Sequence, residues 1–323
     1  GTVPVNVISQ NEISGNGDAA IAAHKAVINA DVMQALANKQ AAVTGNGEVV
    51  LKFNNTIDIV GNTEGQLVLK NLRLADANIV SGNVKIDTNV IAGNQVITVK
   101  AGTLGVSQAA EIADVITVAA GATVNVTGNA YFATVNNSGS FNVNNAAAIE
   151  NEWDRVWVEK LNNNAGKVTV AQGAVVKFDM FYNGAHGTKT TYGAKLANSG
   201  TITVLSELYS VNSTISNNGI MNIQGQFVQN YDSTYTGATP AATTNGAAGV
   251  IEVNAITGSA SYNILEGTTL VNKGILQVLS SDATNTINNL GTITVNKGAR
   301  TLISTNAAGT KRGTIILAER APK

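Results

Sequence analysis

Short segments in which apolar and polar residues alternate recur along most of the chain. Val115–Val118 and Gly121–Val126 form one such pair of segments, and Val168–Val170 and Gly173–Phe178 form another. This alternation predicts strands with one buried and one outward face. Because Gly and Asn separate the segments, they are expected to be short strands joined by tight corners.

A recurring phrase precedes many of these strands: Asn, any residue, Gly, and then the alternating segment. It begins at Asn137, Asn164, Asn198, Asn217, Asn272 and Asn289, with weaker copies around Gly249 and Gly313. The glycines of these copies are 17 to 34 residues apart, about 25 on average, and a period of roughly 20 to 50 residues is typical of solenoids. The sequence therefore predicts an all-β chain that folds as a single right-handed parallel β-helix, or β-solenoid, of roughly 10–13 coils. The handedness follows only from the general preference for right-handed parallel crossovers.

The Asn-x-Gly phrase itself suggests a structural role at the corners. Gly, and to a lesser degree Asn, tolerates the positive φ values that sharp turns demand. Asn side chains that stack from coil to coil can also hydrogen-bond along the axis, as amide ladders do in cross-β assemblies. We predict at least part of such a ladder at the corner that contains Asn137, Asn164, Asn198, Asn217, Asn272 and Asn289.

The first part of the chain has a different pattern of apolar residues. Residues 18–40 are predicted to form a helix, with Ile21, Ile28, Val32 and Leu36 on one stripe and Asp18 at its start. We predict an N-terminal capping region over 1–48, in which this helix covers the open end of the solenoid, although it could instead pack on a side. The parallel β-helix would then occupy 49–323, with a large loop insertion over about 144–195.

Composition narrows the function classes. The 41 Asn and 32 Gly residues and the 13% charged residues argue against an ordinary helical protein, and the 44% hydrophobic residues argue against disorder. A net charge of −1 without a basic run gives no basis for nucleic-acid binding. The lack of cysteine excludes disulfides and thiolate metal sites, and no apolar stretch approaches the ~20 residues of a membrane span.

The repeats resemble those of bacterial adhesin-like β-helices, such as autotransporter passenger domains, filamentous haemagglutinin-type repeats and surface proteins of gut Bacteroidetes. Leu196–Val204 is a representative copy, and the resemblance covers about residues 115–317. It implies a bacterial cell-surface location and a structural or adhesive role, and it transfers no functional residue. We expect an extracellular protein, monomeric, whose export signal or lipid anchor precedes Gly1.

One segment, 150–160, holds both tryptophans and the densest charge, and six of the fifteen aromatic residues fall between 153 and 192. Exposed aromatics beside polar groups can stack on sugar rings or anchor a protein partner. Alternatively, they form a satellite core that holds a large loop against the rod. For a glycan or protein ligand bound by loops at 150–192, the expected contacts are Trp153, Arg155, Trp157, Tyr182 and Tyr192.

The sequence offers little for catalysis. His24 falls in the predicted helix and His186 in a predicted loop, and no motif positions a nucleophile beside either. The sequence thus predicts no catalytic residue, no metal site and no cofactor. The open alternative is a polysaccharide lyase or glycosidase, which needs converging carboxylates; the one dense neighbourhood is Glu150, Glu152, Asp154, Arg155, Asp179 and Lys189.

Overall fold

The computed structural model describes residues 5–9, 27–42, 48–53, 55–87, 90–91, 96–107, 114–145, 155–184, 193–235, 237–256, 258–279, 285–303, 308–311 and 314–317. Within these ranges the chain is an all-β parallel solenoid with one helix near its N-terminus. Every described strand pair is parallel and joins strands from neighbouring coils. The predicted fold class is confirmed, while right-handedness stays a prediction.

The strands are named in chain order. The first part contains β1 (Val5–Ser9), β2 (Val27–Ile28), the helix α1 (Ala30–Ala42), β3 (Glu48–Lys52), β4 (Ile57–Val60), β5 (Leu67–Leu69), β6 (Leu72–Arg73), β7 (Ala77–Ser81), β8 (Asn83–Ile86), β9 (Val90–Ile91), β10 (Val96–Val99) and β11 (Thr103–Val106). The middle contains β12 (Val115–Val118), β13 (Thr123–Val126), β14 (Ala130–Asn137), β15 (Ser140–Val143), β16 (Val156–Asn163), β17 (Lys167–Val170), β18 (Val175–Asn183), β19 (Lys195–Asn198), β20 (Thr201–Val211), β21 (Thr214–Asn217) and β22 (Ile220–Ile223). The last part contains β23 (Gln226–Asn230), β24 (Ala242–Asn245), β25 (Val250–Val253), β26 (Ser261–Ile264), β27 (Thr269–Asn272), β28 (Ile275–Val278), β29 (Thr286–Asn289), β30 (Thr292–Val295), β31 (Arg300–Ile303), β32 (Ala308–Lys311) and β33 (Thr314–Leu317).

Where strands of all three faces are described, a coil runs over the faces in the same order. Face 1 begins with β1, β3, β6 and β9 and ends with β22, β25, β28 and β31; face 2 begins with β2, β4, β7, β10 and β12 and ends with β23, β26, β29 and β32. Between these stretches, the long strands β14, β16, β18 and β20 bend so that their first halves lie on face 1 and their second halves on face 2. Face 3 is a sheet of twelve strands, β5, β8, β11, β13, β15, β17, β19, β21, β24, β27, β30 and β33, one from each successive coil.

The core is a set of inward-facing ladders, because alternate residues of each strand point into the coil. In β13, for example, Val124 and Val126 are fully buried while Thr123 and Asn125 are half-buried on the outside. Val124 is in register with Leu104 and Phe141, and this ladder continues to Val168. Each fully buried side chain of this kind contributes about 1.5–3 kcal/mol, so the stacked ladders are the main source of stability.

Buried asparagines stack at two different corners. At the corner between faces 2 and 3, Asn137 Nδ2 donates to Asn163 Oδ1 at 2.8 Å, and Asn163 Nδ2 donates to Asn183 Oδ1 at 2.8 Å. At the corner between faces 3 and 1, a second run of the same bonds, each 2.8–2.9 Å long, joins Asn198, Asn217, Asn245 and Asn272. The predicted amide ladder is therefore present as two ladders.

Two members of the predicted set are wrong. Asn164 lies one residue beyond the ladder position, which strand register gives to Asn163. Asn289 is buried at the corner between faces 2 and 3, but its register neighbours are Ile264 and Lys311, so it does not stack on another ladder asparagine.

The reason for the glycine in the Asn-x-Gly phrase also differs from the prediction. Gly139 and Gly219 do not adopt positive φ. Instead, a Cβ at Gly139 would lie 2.3 Å from the Ala122 carbonyl oxygen, and one at Gly219 would lie 2.1 Å from that of Gly200. The asparagine holds the corner directly, since Asn198 Oδ1 accepts a hydrogen bond from the Gly200 N–H at 3.1 Å.

The helix is shorter than predicted. Val27–Ile28 form a strand that pairs with β4, and α1 begins at Ala30, capped by Asn29, whose Oδ1 accepts a hydrogen bond from Val32 N–H at 3.1 Å. Two adjacent β-branched residues favour a strand here. The inward positions Ile28, Val32 and Leu36 are buried, whereas Asp18 and Ile21 lie outside the described residues. The helix contacts β2, β3 and β5 near the start of the solenoid.

Two predicted domain boundaries do not match the structure. Strand β1 pairs with β3 in parallel, so the strand ladder already includes residues before 49. The large loop predicted over about 144–195 is not one loop, because β16, β17 and β18 within it are regular solenoid strands in register with their neighbours. Alternation continues through these strands, whose inward residues include Phe178 and Phe181.

Candidate functional site: an outward aromatic stripe

Three side chains stack on the outside of face 1 because strand register aligns their positions. Tyr131, Trp157 and Lys177 are register neighbours on β14, β16 and β18. The Tyr131 and Trp157 rings meet edge to face with centroids 5.7 Å apart, and Lys177 Nζ lies 4.0 Å from the Trp157 ring centroid. This combines an aromatic pair with a close cation–π contact.

A carboxylate holds the tryptophan in place. Trp157 Nε1 donates a hydrogen bond of 3.1 Å to Asp179 Oδ1 at the bend between faces 1 and 2. Burial raises the pKa of Asp179 above its ordinary value, and the Trp157 hydrogen bond and the Lys177 charge partly offset that rise. Lys177 thus contacts the face of the indole ring, and Asp179 holds its N–H edge.

A second aromatic group lies around the bend on face 2. Tyr182 and Tyr209 are register neighbours on β18 and β20, with ring centroids 6.0 Å apart. The Tyr182 hydroxyl donates a 2.8 Å hydrogen bond to Glu207 Oε2, and Lys160 Nζ lies 5.5 Å from the Tyr182 ring centroid. Burial, together with the hydrogen bond and charge of Glu207, raises the pKa of Tyr182 to about 12.

We call these side chains together the aromatic stripe: Tyr131, Trp157, Lys160, Lys177, Asp179, Tyr182, Glu207 and Tyr209. Each is half-buried rather than enclosed. They lie on paired strands, not on loops, so their positions are fixed by the backbone ladder. Such a surface can stack against a flat apolar ring face and can offer charged hydrogen-bonding groups beside it.

The predicted ligand residues are only partly brought together. Trp157 and Tyr182 belong to the aromatic stripe. Arg155 precedes β16 and is half-buried, and its Nε is a buried nitrogen without a hydrogen-bond partner in the structure. Trp153 and Tyr192 lie outside the described residues.

The alternative interpretation, a satellite core beneath a loop, does not describe Phe178 and Phe181. Phe178 and Phe181 are fully buried members of the main solenoid core, with centroids 4.9 Å apart. Sequence reasoning missed Tyr131, Lys177, Glu207 and Tyr209, because their contacts follow from coil-to-coil register. The available signal was their spacing of 20 to 27 residues from Trp157 or Tyr182, which becomes informative once the register is known.

The described residues offer little metal chemistry. Among them, no three His, Asp or Glu side chains come together as a metal site would require. His24, His186, Glu150, Glu152, Asp154 and Lys189 fall outside the described ranges. The part of the chain that the structure describes also contains no helix with the length and hydrophobicity needed to cross a membrane.

The fold defines the class of protein as a parallel β-solenoid, and the aromatic stripe lies on its outer surface. Neither a protein-family model nor a curated protein sequence matches the chain.

Proposed function

We propose that the chain is a non-catalytic, adhesin-like scaffold of a bacterial cell surface that binds a glycan or a surface protein through the aromatic stripe. The observation that carries this proposal is the set of half-exposed aromatic rings fixed in register on β14, β16, β18 and β20. The bacterial, extracellular setting rests on the resemblance of the Asn/Gly repeats to adhesin-like β-helices.

The stripe has the chemistry that sugar recognition uses. Trp157 offers a large aromatic surface whose orientation is set by Asp179 and Lys177, so little conformational entropy is spent when a ring stacks on it. Tyr182 and Glu207 add a hydrogen-bonded polar pair around the bend. A glycan chain lying across β16 and β18 would meet both groups.

A polysaccharide lyase or glycosidase is the alternative. Asp179 is the observation that favours it, because it is a carboxyl group with a raised pKa beside a second acid, Glu159. Acid–base cleavage of a glycosidic bond uses two carboxyl groups. We favour binding because the Asp179 carboxylate is already engaged by Trp157.

The test measures binding and cleavage in the same samples. The protein is incubated with a panel of acidic and neutral polysaccharides, with and without calcium, and retention on immobilised polysaccharide is compared with the release of new reducing ends or unsaturated products. We expect saturable retention on at least one polysaccharide and no products. Products would contradict the binding proposal and favour the enzyme.

The paired change Trp157→Ala with Tyr182→Ala locates the binding surface. Both side chains face outward, so the solenoid should keep its circular dichroism spectrum while binding falls at least tenfold. Thr117→Ala, at an outward position of β12 on face 2, is the matched control and should bind as the wild type does. If the double variant bound as the wild type does, the aromatic stripe would not be the binding surface, and the solenoid would be a scaffold with no ligand there.

A further inference from the structure

A second surface feature lies on face 3, away from the aromatic stripe. It is an open groove of about 520 Å³ on the outside of β8, β11, β13, β15 and β17. This volume is within the range of small-molecule sites, about 300–1,000 Å³. We call it the face 3 groove.

Amide and hydroxyl side chains line the groove in two rows. One row follows a single register position from Lys85 through Gly105, Asn125 and Asn142 to Thr169. A second row, two residues beyond Gly105, Asn125 and Asn142, contains Ser107, Thr127 and Asn144. The corresponding residue beyond Lys85 is Asp87, which is not among the lining residues. Among the lining residues there is no acid and one charged group, Lys85.

Gly105 is a buried residue at the floor of the groove, and the backbone does not explain why a glycine is there. It lies inside a strand, where glycine lowers stability, and its φ is not positive. A Cβ built on Gly105 would meet the flexible Gln66 Nε2 at 3.2 Å and the Val84 carbonyl oxygen at 3.6 Å. By contrast, a Cβ on the corner glycine Gly139 would lie 2.3 Å from a backbone oxygen. Neither a positive φ nor close backbone packing therefore requires a glycine at this position, whereas a larger side chain would displace Gln66 and occupy part of the groove.

The two rows of lining residues repeat with a spacing that suits a polysaccharide chain. Neighbouring strands are about 4.8 Å apart, which is close to the length that one pyranose ring adds to a linear polysaccharide. Asn142 Nδ2 donates to Asn125 Oδ1 at 2.9 Å, so these two amides are already oriented along the groove. Side-chain amides and hydroxyls both donate and accept hydrogen bonds, which matches sugar hydroxyls.

We infer that the face 3 groove binds a segment of a linear, carboxylated polysaccharide, with its hydroxyls on the amide and hydroxyl side chains of the two rows and one carboxylate at Lys85. Lys85 is half-buried at one end of the groove, where its ammonium group favours an anion over a neutral sugar. This site is independent of the aromatic stripe, so it can exist whether or not the stripe binds a ligand.

Isothermal titration calorimetry on the full chain tests this inference with two matched probes, an oligogalacturonate of defined length and the same oligosaccharide with its carboxylates reduced to alcohols. We expect the carboxylated probe to bind at least tenfold more tightly, and Lys85→Gln to remove about tenfold of its affinity. Lys195→Gln removes the same charge from β19, outside the groove lining, and should leave the affinity unchanged. Equal binding of the two probes, or no binding of either, would overturn the inference.

Gly105→Thr tests the groove without threatening the fold. Because threonine suits an extended strand, the melting temperature should stay the same or rise, while binding of the carboxylated probe should fall at least tenfold. A folded Gly105→Thr protein with wild-type affinity would show that the ligand does not occupy the groove. Trp157→Ala should not change this affinity, so a failure of the groove proposal can be distinguished from a failure of the aromatic stripe proposal. Polyglutamate serves as an acidic control that contains no sugar. If it bound as tightly as the oligosaccharide, the binding would be charge attraction alone, which would contradict a sugar site.

Discussion

Substitution by alanine should destabilise the protein strongly at Asn163 and hardly at all at the neighbouring Asn164. Asn163 is fully buried, where its Oδ1 accepts from Asn137 at 2.8 Å and its Nδ2 donates to Asn183 Oδ1 at 2.8 Å and to the Lys195 carbonyl at 3.2 Å. Asn163→Ala removes all three hydrogen bonds, and at a net value of about 1 kcal/mol each it should lower the free energy of unfolding by about 3 kcal/mol.

Asn164→Ala is the matched control. Asn164 is half-buried, and the hydrogen bond from its backbone N–H to the Asn137 carbonyl, 2.8 Å long, does not depend on its side chain. A partly exposed substitution of this kind should change stability by no more than about 0.5 kcal/mol.

The assay should report local as well as global stability, because each coil of a solenoid contacts chiefly its neighbours. Urea unfolding gives the change in the transition midpoint, and native-state hydrogen exchange gives the opening free energy of amides in β16, β17 and β18. The expected result is a loss confined to Asn163→Ala. If Asn164→Ala costs as much as Asn163→Ala, the register assigned to this corner ladder is refuted.

Three further predictions concern corner packing and the aromatic stripe. Gly102 has φ of +80°, and a Cβ there would lie 2.1 Å from the Gly82 carbonyl oxygen. Gly102→Ala should therefore lower the urea midpoint by an amount equivalent to at least about 1 kcal/mol. An unchanged midpoint would contradict this packing. Trp157→Phe removes the hydrogen bond that lowers the pKa of Asp179, so the pKa of that carboxyl should rise further in a carbon-13 NMR titration, and a fall would refute the contact. Because the pKa of Asp179 is raised in the folded state, its contribution to the free energy of unfolding is present at low pH. That contribution is lost as the pH rises through the folded-state pKa. Glu207→Gln should lower the pKa of the Tyr182 hydroxyl from about 12 toward its ordinary value near 10, as read from phenolate absorbance, and no change would mean that burial alone sets it.

The solenoid could be predicted because its two strongest signals are local. Alternation assigns inward and outward residues within one strand, as in Val156 and Val158, which are buried, and Trp157 between them, which faces outward. The period, however, was only approximate. Gly274 and Gly291 are 17 residues apart because they precede β28 on face 1 and β30 on face 3 of the same coil. The Asn-x-Gly phrase thus occurs at two different corners. The distance between successive copies is therefore not always the length of one coil.

The remaining differences arise from contacts between coils. Asn164 matches the phrase, but an extra corner residue places Asn163 in register with Asn137. Lys177 meets Trp157, and Glu207 meets Tyr182, only because β16, β18 and β20 pair in a particular register. Register depends on the length of every intervening corner, so a single sequence shows which residues face outward but not which of them are neighbours.

Spin-label distances along face 3 test the parallel, in-register coil most directly. The chain has no cysteine. Pairs of cysteines introduced at the outward positions Lys85, Ala197 and Thr294 would therefore be the only sites that react with the spin label. Register places nine strand steps between Lys85 and Thr294, with Ala197 five steps from Lys85. At about 4.8 Å per step, the backbone separations are about 24 Å for Lys85 to Ala197, about 19 Å for Ala197 to Thr294 and about 43 Å for the full span. Electron–electron double resonance should therefore find that the two shorter distances add up to the longest; a Lys85–Thr294 distance no longer than either shorter one would contradict the stacked solenoid.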